Sequence, residues 1–207
     1  FDDNRRVLRL SVRDLVEKSQ LHGHLNMEVV QTPVARLALG RMVHEQYQSE
    51  QEAIRPQFRR ESTLKIQFQV LGWTVHLMGR VDGLVEESGV KVVEEVKSTA
   101  MDGFRLRGTD ASDWTSYIQQ VETYLWMLQE TGFSSVSGRL ILISVLDGMR
   151  HTFGVDLGFG TVDVRIRLQL TRLIEAREDR IRWMTRRRSV EVVEPFTPWR
   201  PGQADIA

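Results

Sequence analysis

From residue 61 the chain alternates. In ESTLKIQFQV, Leu64, Ile66, Phe68 and Val70 take every second position, which is the period of a half-buried strand. Gly72 then turns the chain, and WTVHLMGRVDGLV and VKVVEEVKS read as two more strands, joined through residues 86–89 by a polar, glycine-containing hairpin connection. Upstream the period is helical. Ser11 with Asp14 three residues later offers a capping-box start for a short helix over residues 10–20, with Leu10, Leu15 and Val16 beside charged positions, expected to pack on the domain edge. Residues 34–48 place Leu37, Arg41, His44 and Gln48 at helical spacing and leave Leu39, Met42 and Val43 for core contacts.

Downstream, residues 99–113 read as a glycine- and Asp-rich surface loop, and residues 114–131 resume a helix through Ile118, Val121, Leu125 and Leu128, with Gly132 as its C-terminal cap. Residues 139–146 form an apolar run suited to a strand buried on both faces, and residues 151–157 add another strand. A long helix starts at about Val162. It sets Ile166, Leu170, Leu173, Ile174 and Ile181 on one side and becomes basic through Arg165, Arg172, Arg177, Arg180, Arg182 and Arg186 to Arg188. The order of elements defines an α/β (α+β) chain in which a mixed central sheet is flanked by helices.

Composition narrows the chemistry. The 207 residues suit one domain with a short appendage, and 41% hydrophobic residues suffice for an ordinary core. Formal net charge is zero, so a polyanion would have to meet local clusters of Lys and Arg. The absence of cysteine excludes disulfides, thiolate zinc sites, cysteine nucleophiles and cysteine-held iron–sulfur clusters. No apolar run approaches the roughly 20 residues of a membrane helix, and the first residues lack the apolar stretch of a signal peptide, so a cytoplasmic location is expected. The start at Phe1 and the end at Asp205, Ile206 and Ala207 suggest a piece of a longer polypeptide.

The segment GRVDGLVEESGVKVVEEVKS carries the candidate site. Residues two apart on a strand point the same way, so Glu95 and Lys97 project together, and the hairpin can bring Asp82 beside them. Two converging carboxylates suit a hard divalent cation, and the Val96 carbonyl is a further oxygen ligand. Lys97 adds an ammonium able to orient water and stabilise charge on a phosphate, while any role as a base depends on its pKa. A Glu-x-Lys triplet alone equally suits the solvent face of an edge strand; the preceding Asp and two outlying elements set this one apart. One is His44 on the early helix, an imidazole ligand that would extend the site to manganese. The other is Gln120 with Tyr124, four apart on the later helix and hence on one face, neutral groups able to hold water, phosphate or a base.

This ordered set, His44, Gly-x-x-Asp82, Glu95-x-Lys97 and Gln120-x-x-x-Tyr124, resembles the RecB-like branch of PD-(D/E)XK nucleases across residues 40–124. Glu61 matches an acidic position of that pattern. The resemblance implies a restriction-endonuclease-like core, in the order helix, three strands, helix and strand. It also implies cleavage of single-stranded DNA or DNA ends through Mg2+ or Mn2+, in exonuclease-type processing or repair. Many relatives carry a four-cysteine iron–sulfur cluster, which this chain lacks. His44, Asp82, Glu95 and Val96 are then the metal ligands, Asp82, Glu95, Lys97, Gln120 and Tyr124 the catalytic set, and Arg105, Arg107, Gln120 and Tyr124 the DNA contacts.

The last residues, EPFTPWRPGQADIA, resemble the entry motif of XPD/DinG-type helicases at Arg200 and Gln203, without the phosphate-binding loop itself. The expected organisation is a nuclease domain over residues 1–189 followed by a linker and the start of a helicase domain over residues 190–207. The competing expectation is a catalytically silent nuclease-like module that grips single-stranded DNA and regulates an attached helicase. His22 and His24 read as exposed loop residues, and Trp114, Trp126 and Trp183 as packing residues on helices.

Overall fold

The computed structural model describes residues 1–20, 34–158 and 160–188. It places β1 (Val7–Ser11), α1 (Val12–Gln20), α2 (Val34–Ile54), β2 (Arg59–Val70), β3 (Trp73–Glu87) and β4 (Val90–Thr99) in the first half. A short α3 (Gly103–Arg107) and a 3-10 turn (Ala111–Trp114) lead into α4 (Thr115–Glu130), β5 (Val136–Ser144), β6 (Arg150–Val155) and α5 (Thr161–Arg188). The chain divides into two compact units, Phe1–Leu170 and Thr171–Ala207.

The first unit contains a six-stranded mixed sheet in the order β1-β3-β4-β5-β6, with β2 also paired to β3. β1 runs parallel to β3 and β4 parallel to β5, and the other pairings are antiparallel. The expected helix–three strands–helix–strand core is present, with helices on the sheet. The β3–β4 hairpin closes in two residues, Ser88 at φ 51° and Gly89 at φ 82°, the left-handed pair that matches the twist of the strands. Buried Leu140, Ile141, Leu142 and Ile143 confirm β5 as a strand covered on both faces.

Four expectations change. Residues 10 and 11, read as the start of the helix, instead end the strand β1, which pairs in parallel with residues 74–78 of β3. Ser11 caps the helix, its Oγ 2.8 Å from Asp14 Oδ2 and accepting the Asp14 N–H at 3.0 Å, but α1 is no edge ornament: Val12, Leu15 and Val16 are all buried. On α2, Leu39 and Met42 are exposed, and the contacts to the sheet come instead from Tyr47 with Val43, packed on Val96, Ile141 and Ile143. The segment after β4, expected as a loop, carries α3, capped by the Asp102 carboxylate on the Arg105 N–H.

α4 ends as expected. The Gly132 N–H donates to the Gln129 carbonyl at 2.9 Å, and φ 98° there suits a residue without Cβ. Ile166 and Leu170 of α5 are buried within the first unit, and Trp126 Nε1 donates to Asp163 at 3.2 Å. In the second unit the described residues, 171–188, are helical. Ile174 is buried there, whereas Trp183, expected to pack, is exposed with the Arg187 guanidinium 5.4 Å from its ring centroid. No described helix is long and apolar enough to cross a membrane.

Candidate active site

The site arises where β3 loses its partners. On one edge, β3 pairs with β1 through Met78 and resumes pairing, with β4, only at Gly83, leaving residues 79–82 outside both ladders among the described residues. The β2 ladder is irregular at the same level: Arg60 faces Gly83 and Ser62 faces Val81, while Glu61 between them adopts φ 51°. β4 follows β3 back only as far as Glu94, yet stays beside β5 through Thr99. A notch therefore opens with Asp82 on one lip and Glu95, Val96 and Lys97 on the other.

The Asp82 carboxylate bridges this notch. Its Oδ2 accepts the Val96 N–H at 2.8 Å, replacing the ladder bond that the divergence removes from a fully buried residue. Its main-chain carbonyl accepts Gln48 Nε2 at 2.9 Å, and His44 Nδ1 lies 3.6 Å from Asp82 Oδ1. His44 and Gln48 stand one turn apart on α2, so the helix faces Asp82 through both.

Glu95 is almost entirely enclosed, at 2% exposure. Its Oε1 receives both Lys97 Nζ and Gln120 Nε2 at 2.7 Å, whereas Oε2 is buried without a hydrogen-bond partner. Burial, and next the Asp82 charge, push the Glu95 carboxyl up to about 7, against the pull of Lys97 and His44. Burial disfavours charge on Lys97 too, but the Glu95 carboxylate outweighs it and raises the lysine above its ordinary value. In this arrangement the Lys97 ammonium donates to Glu95 Oε1. Its Nζ also lies 5.0 Å from the Tyr117 ring centroid.

Gln120 and Tyr124 share a face of α4 as predicted, with Gln120 Nε2 donating to the Tyr124 hydroxyl at 3.2 Å. The expected contact of Tyr124 with DNA does not fit: the residue is 2% exposed and its hydroxyl donates to the Arg80 carbonyl at 3.2 Å. Its ring lies against β3 at Gly79, where a Cβ would stand 2.4 Å from Tyr124 Cε1. Tyr124 is a packing and positioning residue, and burial raises its pKa, so it stays a neutral phenol. Arg105 and Arg107 are exposed on α3, and Arg105 Nε lies 3.7 Å from Asp102; among the described residues neither contacts Asp82, Glu95 or Lys97. Glu61 is exposed, 3.4 Å from Arg80. His22, His24, Arg200 and Gln203 lie outside the described residues.

The residue next to Glu95 was missed. Glu94 points to the opposite face, is 1% exposed, and accepts the Tyr47 hydroxyl at 2.7 Å, Arg55 at 2.7 and 2.8 Å, and Arg139 at 3.1 Å. Burial favours its neutral form, but Arg55, Tyr47 and Arg139 more than offset this and hold it below the usual carboxylate range. Adjacent glutamates thus have opposite electrostatics: Glu94 is a satisfied anion fastening α2 to the sheet, and Glu95 is an enclosed acid beside another acid.

The donor set of Asp82, Glu95, the Val96 carbonyl and His44 is hard oxygen plus one imidazole, which fits Mg2+ or Mn2+. The orphaned Glu95 Oε2 is the group such an ion would satisfy. Among the described residues no three acidic or imidazole side chains are already gathered as a metal cage, consistent with Lys97 and Gln120 holding one Glu95 oxygen and the Val96 amide one Asp82 oxygen.

No protein-family model matches the chain, and no curated protein matches it in sequence. Among solved structures the fold is similar to the crystal structure of SSO0001, with a TM-score of 0.55 and 20% identity, covering 80% of this chain and 75% of that one. That likeness concerns the fold.

Proposed function

We propose that the chain is a divalent-metal-dependent deoxyribonuclease domain of the RecB-like PD-(D/E)XK kind, cutting single-stranded DNA or DNA ends. The observation that carries the reading is the notch between β3 and β4, where Asp82 faces Glu95 and Lys97 and one Glu95 oxygen is buried and unpartnered. Asp82, Glu95, Val96 and His44 would hold Mg2+ or Mn2+. The ion, when bound, activates water and neutralises charge on the phosphate.

The chain's own groups do the rest. The Lys97 ammonium donates to the attacking water or a phosphate oxygen, and the negative charge that builds on the phosphate oxygens is stabilised by that donor in a partly enclosed setting. Gln120 orients Glu95, and Gln48 fixes the Asp82 backbone from α2. Tyr124 holds Gln120 in place from beneath. The motif at Arg200 and Gln203 supports a helicase as the working partner.

The test is incubation of the protein with end-labelled single-stranded DNA, with and without Mn2+. Products appear only with metal, and Asp82→Ala or Lys97→Ala abolishes them while the fold persists by circular dichroism. Binding without products in the wild type would instead favour the silent, helicase-regulating module.

A further inference from the structure

Lys97 faces more than the notch. A cleft of about 360 Å3 opens beside it between α1 and the first turns of α4, lined by Arg13, Glu17, Lys97, Ser116, Tyr117 and Gln120. Ligand pockets begin at about 300 Å3, so the space suits one small group rather than a duplex. Because Lys97 and Gln120 line the cleft and both contact Glu95 Oε1, whatever occupies the cleft adjoins the proposed reaction centre.

Its chemistry favours an anion. Arg13, Lys97 and Ser116 bring a guanidinium, an ammonium and a hydroxyl to its walls, and Lys97 Nζ lies 5.0 Å from the Tyr117 ring centroid. The single acidic lining residue, Glu17, is engaged by Arg13 Nε at 2.6 Å. Arg13 and Glu17 are both exposed and lie one helical turn apart, so their pairing adds little to the stability of the helix. A phosphate therefore displaces Glu17 from Arg13 at little cost. Tyr117 is a firm wall: Trp114 stacks on it at 6.1 Å and 20°, and Trp114 Nε1 is itself tied to Thr109 Oγ1 at 3.0 Å.

We propose that this cleft is the subsite for the phosphodiester adjacent to the scissile one, with Arg13 and Ser116 as its anion-binding groups, Tyr117 as its wall and Glu17 as the placeholder that the strand displaces. The inference rests on the nuclease reading and adds residues that the catalytic set does not contain. It assigns strand contact to α1 and the start of α4.

The test measures binding of a fluorescein-labelled single-stranded oligodeoxynucleotide to the protein in EDTA, so that the strand stays intact, over a range of salt. Arg13→Ala weakens binding about fivefold and flattens the slope of log K against log salt by about 0.7, the contribution of one phosphate contact on a single strand. Arg13→Lys restores the slope. Glu17→Gln tightens binding, a gain that misfolding does not produce. Should Arg13→Ala keep wild-type affinity and slope, or Glu17→Gln bind no better, the subsite is wrong; if Mn2+-dependent cleavage persists in the wild type, the nuclease reading survives that result. A wild type that neither binds nor cuts the strand would remove both.

Discussion

Glu94 and Glu95 are neighbours on β4, yet replacement by glutamine has opposite expected effects on stability, and Glu95 is the more informative of the two. In the metal-free protein its carboxyl is carried from 4.5 to about 7, chiefly by burial and then by Asp82. At about 1.4 kcal/mol per pH unit this corresponds to roughly 3 kcal/mol, an upper limit because Lys97 and water can adjust. The unfolded chain gives up this proton first. Between pH 4.5 and about 7 the folded state holds more protons than the unfolded one, so stability is fully present below 4.5 and drains away as pH rises through 7. Glu95→Gln keeps the neutral form at every pH. Urea unfolding in EDTA should therefore find the variant equal to the wild type near pH 4 and more stable, by up to about 3 kcal/mol, at pH 8. Added Mn2+ should reverse the order, because only the wild type retains the carboxylate an ion would stabilise. A Glu95→Gln protein less stable than the wild type at pH 8 without metal would refute the picture of an enclosed, uncompensated acid.

Glu94→Gln should behave in the other way, losing about 3 kcal/mol in urea unfolding at pH 7, since it leaves Arg55 and Arg139 without the charge they surround; the partial exposure of both arginines sets the loss at the lower end of the range for broken buried pairs. Gly79→Ala drives a methyl against Tyr124, so thermal denaturation should show a loss of about 1–3 kcal/mol, accompanied by reduced cleavage as Tyr124 and Gln120 shift; a variant of unchanged stability would contradict the close approach of α4 to β3.

Much of the architecture was legible because local signals agreed with it. Alternation at Leu64, Ile66, Phe68 and Val70 and the glycine-bearing turn gave the β2–β3–β4 meander, and the Ser11–Asp14 spacing gave the start of α1. The strand before α1 was not legible, since five residues carry little period and their parallel partner is supplied only by folding. Glu95 and Lys97 project together as strand geometry requires, and they pair at 2.7 Å. What distinguishes Glu95 from Glu94 is non-local: Arg55 and Arg139 stand 39 and 45 residues from Glu94 along the chain. Tyr124 has the same origin of error. Its spacing from Gln120 identified the shared face, but its burial depends on Gly79, a strand residue whose missing Cβ admits the ring.

In the proposed function Asp82 and Glu95 hold a divalent ion in the notch beside Lys97. Crystals soaked in Mn2+ and measured for anomalous scattering test it most directly. A peak is expected in contact with both carboxylates and the Val96 carbonyl, absent from Asp82→Ala crystals. A peak elsewhere, or an empty notch at Mn2+ concentrations that support cleavage, would contradict it.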